Sequence, residues 1–504
     1  MQKMLIGLDI GTSAVKGLLI DVEGEVVGRA DSSYPVFNPR AGWSEQDPED
    51  WWQGTVEVLR ELTGQVVSSA AELAGLSFSG QMHSSVFLDA NDEVIRPAIL
   101  WSDTRTAREC QEIEERVGGR KNLVEMTGNR ALEGFTAPKV LWLKNNEPDN
   151  YKKVETLLLP KDYIRYRLTG EKAMDLSDAA GTLLFDVEER KWNDELLELL
   201  KIDRSMLPPP VESTAVAGNI TEKAAEITGL PAGLPVVAGG ADNACGAAGS
   251  GMVRQGQLMV SIGSSGVVLA PAEDYRPDPE GKLHLFNHSA PNKYYYMGVM
   301  LAAGQALSWC RDNVLPPEWD YSTINEKASS VPPGSENLIF LPYLNGERTP
   351  HADASARGVF FGLSALHDRS HMARSVMEGV TFGLRDSLEL IEERGVEVDS
   401  VRAIGGGARS ELWQQIIADI MDKTVELLAV EEGPAYGAAL IAGVGVDIFP
   451  GLVWAERELI EIEKTVEPLA ENVNKYDELY NIYCDLYPSL KDDFALLDSE
   501  SKKY

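Results

Sequence analysis

A strand–turn–strand unit occurs twice in this chain, and it restricts the possible folds more than any other feature. In the first copy, residues 5–21, apolar runs flank a Gly-Thr-Ser turn at residues 11–13. In the second copy, residues 257–270, similar runs flank a Gly-Ser-Ser turn at residues 263–265. The two turns lie about 250 residues apart, and a period this long predicts two related domains rather than a solenoid.

A second pair of segments supports the duplication. Residues 76–83 and 401–408 both have the pattern of buried strands that run into glycine-containing loops, and apolar residues from 412 to 421 then recur at helical spacing. Strand, glycine loop and helix form the α/β pattern that places ligands at the carboxyl ends of strands. The 504 residues also exceed the ~250–300 that one core holds. We therefore predict two α/β domains, 1–248 and 249–504.

The charge of the chain disfavours two classes of partner. Acidic residues outnumber basic ones by 79 to 46, which gives a net charge of −33, whereas nucleic acids and anionic membranes attract basic surfaces. The four cysteines are scattered, as expected in a reducing compartment. The amino-terminal segment lacks the basic region of a signal peptide. We expect a cytoplasmic protein without nucleic-acid or membrane partners.

The glycine turns predict a site for a nucleoside triphosphate. Successive backbone N–H groups at such turns form a nest for anions, and glycine allows close approach. Two nests that face each other across a cleft would hold a triphosphate from both sides, and the glycine loop 405–408 suits the adenosine end. No P-loop motif is present. The predicted nucleotide residues are Gly11, Thr12, Ser13, Gly263, Ser264, Ser265, Gly304, Gly405, Gly406, Gly407 and Ala408.

Two carboxylates at predicted strand ends are candidates for the chemistry. Asp9 borders the first turn, where it would either bind Mg²⁺ through water or cap the turn. Lys16, on the return strand, would contact phosphate or face solvent. Asp242 follows an apolar strand among small residues that leave room for a substrate. With an ordinary pKa of ~3.9 it would be ionised at neutral pH and accept a hydroxyl proton; the alternative is a loop cap.

The motifs resemble those of the FGGY carbohydrate kinases over nearly the whole chain. One family signature is present at residues 134–146, and the other at residues 358–363 and 371–378. The segment Gly-Trp-Ser-Glu-Gln-Asp-Pro at 42–48 is similar to the family too. The resemblance implies two actin-like (ribonuclease H-like) ATPase domains with a catalytic cleft between them. It also implies ATP and Mg²⁺ as cofactors, a sugar as substrate and a homodimer as a possible assembly.

Within this family, the chain is most similar to the xylulokinase group. Shared motifs lie at residues 80–83, 100–105, 239–243 and 345–351. They imply phosphorylation of D-xylulose to D-xylulose 5-phosphate, with Asp242 as the base. The sugar-binding residues carried over from the resemblance are Met82, His83, Trp101, Asp103, Asp242 and Asn243.

Several alternatives stay open at this point. Gluconate kinases share a Met-His-Ser sequence, and this chain has Ser84 after His83, so gluconate, ribulose or another polyol is an alternative acceptor. Glycerol is disfavoured because glycerol kinases carry Arg-Glu in place of Met-His. Two alternatives belong to other classes of protein: an actin-like or chaperone-type ATPase, and a catalytically silent sugar sensor. ATPases of the actin and chaperone type lack both sugar-kinase signatures.

Overall fold

The protein, seen in a computed structural model that describes residues 3–69, 72–429 and 432–501, is built around two seven-stranded sheets. Within these described residues, the first half of the chain supplies fifteen strands. They are β1 (Lys3–Ile10), β2 (Ala14–Asp21), β3 (Val26–Ser33), β4 (Glu45–Gln46), β5 (Glu72–Gly80), β6 (Val86–Leu88), β7 (Ala98–Ile99), β8 (Thr156–Leu158), β9 (Met174–Asp175), β10 (Phe185–Asp186), β11 (Lys191–Trp192), β12 (Pro210–Val211), β13 (Val216–Asn219), β14 (Pro235–Val237) and β15 (Gly240–Ala241).

Ten helices accompany these strands in the described part of this half. They are α1 (Pro48–Ser69), α2 (Ala107–Arg116), α3 (Arg120–Thr127), α4 (Thr136–Asn146), α5 (Pro148–Tyr151), α6 (Pro160–Thr169), α7 (Leu176–Gly181), α8 (Asp194–Leu200), α9 (Glu222–Thr228) and α10 (Asp242–Gly249). Helix α10 begins directly after β15, so Asp242 lies where the strand passes into the helix.

The second half supplies the remaining elements. Its strands are β16 (Gly256–Ile262), β17 (Gly266–Ala272), β18 (His284–Asn287), β19 (Tyr294–Met300), β20 (Ile339–Leu341), β21 (Val359–Phe361), β22 (Val398–Ile404), β23 (Thr424–Leu428) and β24 (Ile462–Val466). Its helices are α11 (Gly304–Asn313), α12 (Tyr321–Ser329), α13 (Arg369–Glu393), α14 (Glu411–Met421), α15 (Gly433–Gly445), α16 (Leu452–Leu459) and α17 (Ala470–Ser501), with 3₁₀ turns at Ser335–Asn337 and Gly406–Arg409. A further 3₁₀ turn, Arg204–Met206, lies in the first half.

The two sheets repeat one topology, which confirms the predicted duplication. The first sheet has the order β13-β14-β5-β1-β2-β3, with β15 as its seventh strand, also paired with β5, and the second has the order β18-β19-β17-β16-β22-β23-β24. In each, a hairpin (β1–β2, β16–β17) is antiparallel and its first strand pairs in parallel with a later strand (β5, β22). Asp9 lies opposite Ser79, as Ser261 lies opposite Ile404, so the structure places both segments as the sequence pattern predicts.

The sequence accounts for these elements locally. Leu5, Ile6, Leu8 and Ile10 of β1 are fully buried, as expected for a strand covered on both faces. Helix α14 begins where the side chain of Ser410 accepts a hydrogen bond from the Trp413 N–H, an ordinary amino-terminal cap. Its apolar residues are buried, which confirms the helix predicted from their spacing.

Two helices from different halves of the chain cross at the base of the cleft. Helix α15 packs on β1 and β5 of the first sheet and crosses α10. A Cβ atom on Gly437 of α15 would lie 1.8 Å from the Cys245 carbonyl oxygen of α10, so only glycine permits this approach. The crossing holds α10, and therefore Asp242, against the first sheet. The division at 248 and 249 stays a prediction, and it falls between α10 and β16.

The carboxyl-terminal helix packs on the second half of the molecule. Tyr476, Leu479, Tyr480 and Tyr483 of α17 are buried against the second sheet's core. Within the described ranges, none of the helices combines the length and apolar character that a bilayer crossing requires.

Candidate active site

A cleft of about 720 Å³ separates the two sheets. The first half lines it with residues at strand ends and at the start of α10: Asp9, Lys16, Asp242 and Asn243. The second half lines it with Ser261, Gly405, Gly406 and Arg409. The carboxyl ends of β1 and β22 therefore meet across one cavity, where the α/β pattern predicted a ligand.

Asp242 occupies the first position of α10 and is partly exposed to this cleft. Burial, with the negative charge of Asp9 second, raises the pKa of Asp242 to about 7, although hydrogen bonds from Asn243 oppose the shift. The sequence predicts an ordinary pKa for Asp242 and an ionised carboxylate at neutral pH. In the structure, the pKa of this carboxylate instead lies near neutral pH. A base is most effective when its pKa lies near the working pH, and burial and the neighbouring Asp9 carboxylate produce that condition here.

Asp9 lies at the end of β1 and faces the same cavity. Its Oδ1 accepts a hydrogen bond from Ser79 Oγ at 2.9 Å, and Lys16 lies opposite it in the β1–β2 ladder. Burial raises the pKa of Asp9, while Ser79 and the charge of Lys16 lower it. The charge of Asp9 also raises the pKa of Asp242. Asp9 is therefore a candidate to hold a cation in this cavity, since Mg²⁺ takes one or two carboxylates while keeping waters.

Both predicted phosphate turns are tight hairpin ends. The Gly11 N–H donates to Ala14 O at 3.0 Å, and the Gly263 N–H donates to Ser265 O at 3.0 Å. Gly304 packs against the second turn, where its N–H donates to Gly263 O at 2.8 Å and a Cβ would lie 2.4 Å from that oxygen. The structure thus brings Gly304 to the second turn. Lys16 lines the cleft, which favours the phosphate-contact alternative over a solvent-facing one.

A second cavity of about 530 Å³ adjoins the glycine loop. Of the predicted nucleotide residues, Gly263, Ser264, Gly304, Gly406 and Gly407 line it, while Gly405 and Ala408 border the space beside it. Thr12, Ser13 and Ser265 do not line these cavities and lie instead on or beside the hairpin turns. The predicted adenosine and phosphate regions are therefore adjacent.

Met82 and His83 form a strained turn beside Asp242. The Ser84 N–H donates to Met82 O at 2.7 Å, and His83 has a φ of 67°, so the chain makes the rare positive-φ γ-turn. The Asn243 amide Nδ2 lies 3.6 Å from Met82 Sδ and 3.0 Å from Asp242 Oδ1. The predicted sugar residues and the predicted base thus form one contact set.

The hydrogen bonds of His83 determine its tautomer. Its Nδ1 lies 2.6 Å from Gly181 O, and because a carbonyl only accepts, Nδ1 carries the proton. Burial, together with the positive charge of Lys139, lowers the pKa of His83 to about 3. The ring is therefore neutral, and its Nε2 is an acceptor for a hydroxyl group. The rings of Phe135 and Phe286 flank it at 4.5 and 6.3 Å.

Trp101 and Asp103 have different surroundings. The Trp101 side chain is 44% exposed, and its Nε1 donates to Thr12 Oγ1 at 2.9 Å. This bond links the loop that carries Trp101 to the turn at residues 11–13. The carboxylate of Asp103 is buried and accepts both Nε and Nη2 of Arg105 at 2.8 and 2.6 Å, with a third bond from Ser44 N. A direct contact of Asp103 with sugar stays a prediction, while its contacts support the Trp101 loop.

The sequence pattern gives no signal for some of the residues that line the two cavities. Tyr321 and Asn325 of α12 line the second cavity, but a Tyr and an Asn four residues apart are ordinary on any helix. Arg409 lines both cavities, and its position directly after the glycine loop is a signal that would have identified it.

Two copies of one α/β unit, with turns and carboxylates that face a shared cleft, define a two-domain phosphotransferase of the actin-like ATPase class. Similarity to known proteins identifies the family within this class. Residues 4–249 match the N-terminal domain of the FGGY family of carbohydrate kinases, and residues 258–446 match its C-terminal domain. The chain belongs to the FGGY family of carbohydrate kinases, whose members are ATP-dependent enzymes that act on small sugars.

Individual relatives cover almost all of the chain. It is 44% identical over 491 residues to a xylulose kinase from Bacillus subtilis strain 168, covering 97% of this chain and 98% of that one. The crystal structure of a xylulose kinase from Rhodospirillum rubrum matches with a TM-score of 0.91 at 32% identity, covering 98% and 100% of the chains. A gluconate kinase structure from Lactobacillus acidophilus matches with a TM-score of 0.94 at 27% identity, covering 99% and 100%.

Proposed function

We propose that this protein transfers the γ-phosphoryl group of ATP to D-xylulose and forms D-xylulose 5-phosphate. The single observation that carries the proposal is the contact set at Asp242, in which Asn243 joins the base to Met82 of the Met-His turn. A neutral His83 acceptor and a carboxylate with a pKa near 7 suit a substrate that presents several hydroxyl groups. Full-length similarity to xylulose kinases supports the choice of sugar.

In the proposed reaction, Asp242 orients the terminal hydroxyl of the sugar toward the γ-phosphorus. The O–P bond to the sugar forms as the bond between the γ-phosphorus and the bridging oxygen breaks, ADP leaves, and the hydroxyl proton passes to the carboxylate. Because phosphoryl transfer has a loose transition state, orientation contributes more than early deprotonation. Closure of the two halves would exclude water that otherwise hydrolyses ATP.

The nucleotide and metal residues follow from the same geometry. The turns at Gly11–Ser13 and Gly263–Ser265 would hold phosphates, and Gly405–Ala408 would border the adenosine. Asp9, with one oxygen occupied by Ser79 and the other free for the cleft, would hold Mg²⁺ through water. When bound, that ion would neutralise charge on the phosphates. Lys16 would add a positive charge on the same side.

The choice of sugar is tested by ADP release across D-xylulose, D-ribulose, L-ribulose, gluconate and glycerol. We expect the highest kcat/KM for D-xylulose and the lowest for glycerol. Gluconate is the rival favoured by a specific observation, the Ser84 that follows the Met-His pair, together with the similarity to a gluconate kinase structure. A higher kcat/KM for gluconate would replace the substrate proposal, and no sugar-stimulated ADP release at all would favour the silent-sensor alternative.

The pH dependence of kcat/KM for the sugar should report Asp242. Protonation of a base removes its acceptor function, so we expect kcat/KM to fall about tenfold per pH unit below the pKa near 7 and to level off above it. His83 cannot produce this limb because its pKa is near 3. The measurement is a pH series at saturating ATP, and a flat profile from pH 6 to 8 would contradict the role of Asp242.

The remaining expectations belong to the same proposal. A cytoplasmic location, a homodimeric assembly and the absence of nucleic-acid and membrane partners follow from the charge balance and the family resemblance. The proposal also assigns the sugar site and the first turn to residues 1–248. It assigns the second turn and the adenosine site to residues 249–504.

A further inference from the structure

A buried lysine contacts the backbone of the Met82–His83 turn. Lys139 lies in α4, inside the signature at residues 134–146, and its side chain is fully buried. Its Nζ donates to His83 O at 3.0 Å and to Gly134 O at 2.6 Å. This lysine touches neither of the cavities described above, so the reaction itself gives it no role.

The turn it contacts requires external support. A residue with a side chain is strained at positive φ, and a γ-turn of this kind persists only where neighbouring groups hold it. His83 has that conformation, with a φ of 67°, and its carbonyl oxygen accepts from Lys139 Nζ and also from Thr136 Oγ1 at 3.0 Å. Both lone pairs of this carbonyl are therefore used by the first turns of one helix.

The same lysine connects the turn to the loop that carries Trp101. Gly134, whose carbonyl accepts from Lys139, packs so closely that a Cβ there would lie 2.7 Å from Trp101 O. Phe135, the next residue, places its ring 4.5 Å from the His83 ring. The His83 turn and Gly134 thus meet at one ammonium group, and Gly134 in turn packs against the Trp101 loop.

Burial of this ammonium is costly. The loss of water lowers the pKa of Lys139 to about 7, and the nearby Arg105 adds to that effect while the Asp103 carboxylate opposes it. A buried cation with only two carbonyl acceptors gains little stability from packing. Its geometry instead indicates a role in holding those carbonyls in place.

We propose that Lys139 is a positioning residue for the sugar acceptor. It holds the His83 carbonyl, keeps the strained turn formed, and so directs the unprotonated Nε2 of His83 toward a sugar hydroxyl. This inference rests on the proposed sugar-binding role of His83.

The test is Lys139→Met, which retains the length and packing of the side chain but removes its donors. We expect the KM and the calorimetric Kd for the sugar to rise at least tenfold, because the turn loses its fixed conformation. The KM for ATP should change less than twofold. Equal increases in both KM values, or a lower melting temperature with no change in the sugar KM, would overturn the proposal.

Lys144→Met is the matched control. Lys144 lies in the same helix and donates to Lys201 O at 2.7 Å, remote from the cleft. Its loss should lower stability without changing the sugar KM, and a sugar KM raised as much as in Lys139→Met would show that any lysine lost from α4 has this effect.

A second variant keeps the test decisive if Lys139→Met does not fold. Thr136→Val removes the other donor to the His83 carbonyl and should raise the sugar KM in the same direction by a smaller factor, while an unchanged sugar KM would count against the proposal. All variants are assayed with whichever sugar the wild type phosphorylates best. If that sugar is gluconate, the substrate proposal fails, while the comparison of Lys139 with Lys144 still decides the positioning role.

Discussion

Replacement of Asp242 by asparagine should lower kcat by about 1,000-fold while leaving the binding of ATP and sugar nearly unchanged. Asparagine retains the shape of the side chain but cannot take the hydroxyl proton, and a positioned base contributes about 10²–10⁴ in rate. Asp242 lines the cleft at the start of α10 and contacts Asn243, so the change leaves the surrounding contacts in place. The measurement is single-turnover ADP formation together with calorimetric binding of each substrate.

A second carboxylate provides the control for this experiment. Asp31 also lines the cleft but is exposed at its rim, and Asp31→Asn should change kcat less than twofold. Near-normal turnover of Asp242→Asn would contradict the assignment of the base, and equal losses in both variants would point to a general effect of charge in the cleft.

The same substitution should stabilise the protein at alkaline pH. The pKa of Asp242 is raised in the folded state to about 7, so its contribution to stability is complete below the unfolded pKa of ~3.9 and is lost as pH rises through 7. Each pKa unit of this shift corresponds to about 1.4 kcal/mol. We therefore expect Asp242→Asn to raise the melting temperature at pH 8 and to change it little at pH 4.

The largest expected effect on stability is that of Lys161→Met. Lys161 is buried with three carboxylates, its Nζ lying 2.8 Å from Asp162 Oδ1, 2.7 Å from Asp175 Oδ1 and 3.0 Å from Asp178 Oδ2. Arg165 still pairs with Asp162 at 3.4 Å, whereas the ion pairs of Asp175 and Asp178 are both with Lys161. Removal of one partner from such a buried ionic group costs about 3–5 kcal/mol, because charges are left uncompensated. We therefore expect Lys161→Met to unfold at a lower urea concentration, measured as the midpoint of its first unfolding transition.

Substitution of a lysine at the surface provides the control for this prediction. Lys172, which pairs with Asp92, is partly exposed, and exposed ion pairs contribute about 0–1 kcal/mol. Lys172→Met should therefore have a small effect, and a comparable loss in both variants would contradict the role of the buried cluster.

The loss in Lys161→Met should also depend on pH. Burial already raises the pKa values of Asp162 and Asp178, and the charge of Lys161 opposes those shifts. Without the lysine the carboxylates hold their protons more strongly, so stability is present below their unfolded pKa values and is lost as pH rises. The destabilisation should be smaller at pH 5 than at pH 8, and the opposite order would contradict this account.

This cluster also reaches the active site. Asp175 Oδ2 accepts from Ser177 Oγ at 2.5 Å, and Ser177 Oγ in turn accepts from the Ala241 N–H at 2.9 Å. Ala241 ends β15 and directly precedes Asp242, so the buried charges stabilise the strand end next to the proposed base. Loss of Lys161 would therefore reduce activity through the fold.

Much of the site was predictable because its signals are local. A glycine turn between apolar runs specifies a hairpin from a few neighbouring residues, and the pattern recurred with Asp9 and Ser261 in equivalent places. The small residues around Asp242 likewise indicated an open approach. These features depend on chain neighbours, and the structure brings them to one cleft.

Other properties depend on residues that are distant in sequence. The partner of Asp103 is close in sequence, at Arg105, but the bond from Ser44 comes from 59 residues away. The tautomer of His83 depends on the Gly181 carbonyl, and its backbone depends on Lys139. No periodicity reports such pairs, because they exist only once Lys139 of α4 and Gly181 of α7 lie against the turn that follows β5.

The sequence by itself determined the duplicated α/β unit, the two glycine hairpin turns, the glycine loop and the carboxylates at Asp9 and Asp242, since each is specified by a short stretch of chain. Only the tertiary structure decided the pKa of Asp242 near 7, the neutral state of His83, the strained turn and the lysine that holds it. The physical reason is burial. Packing of distant segments removes water and sets neighbouring charges, and those two effects determine which protons and hydrogen bonds the site has available.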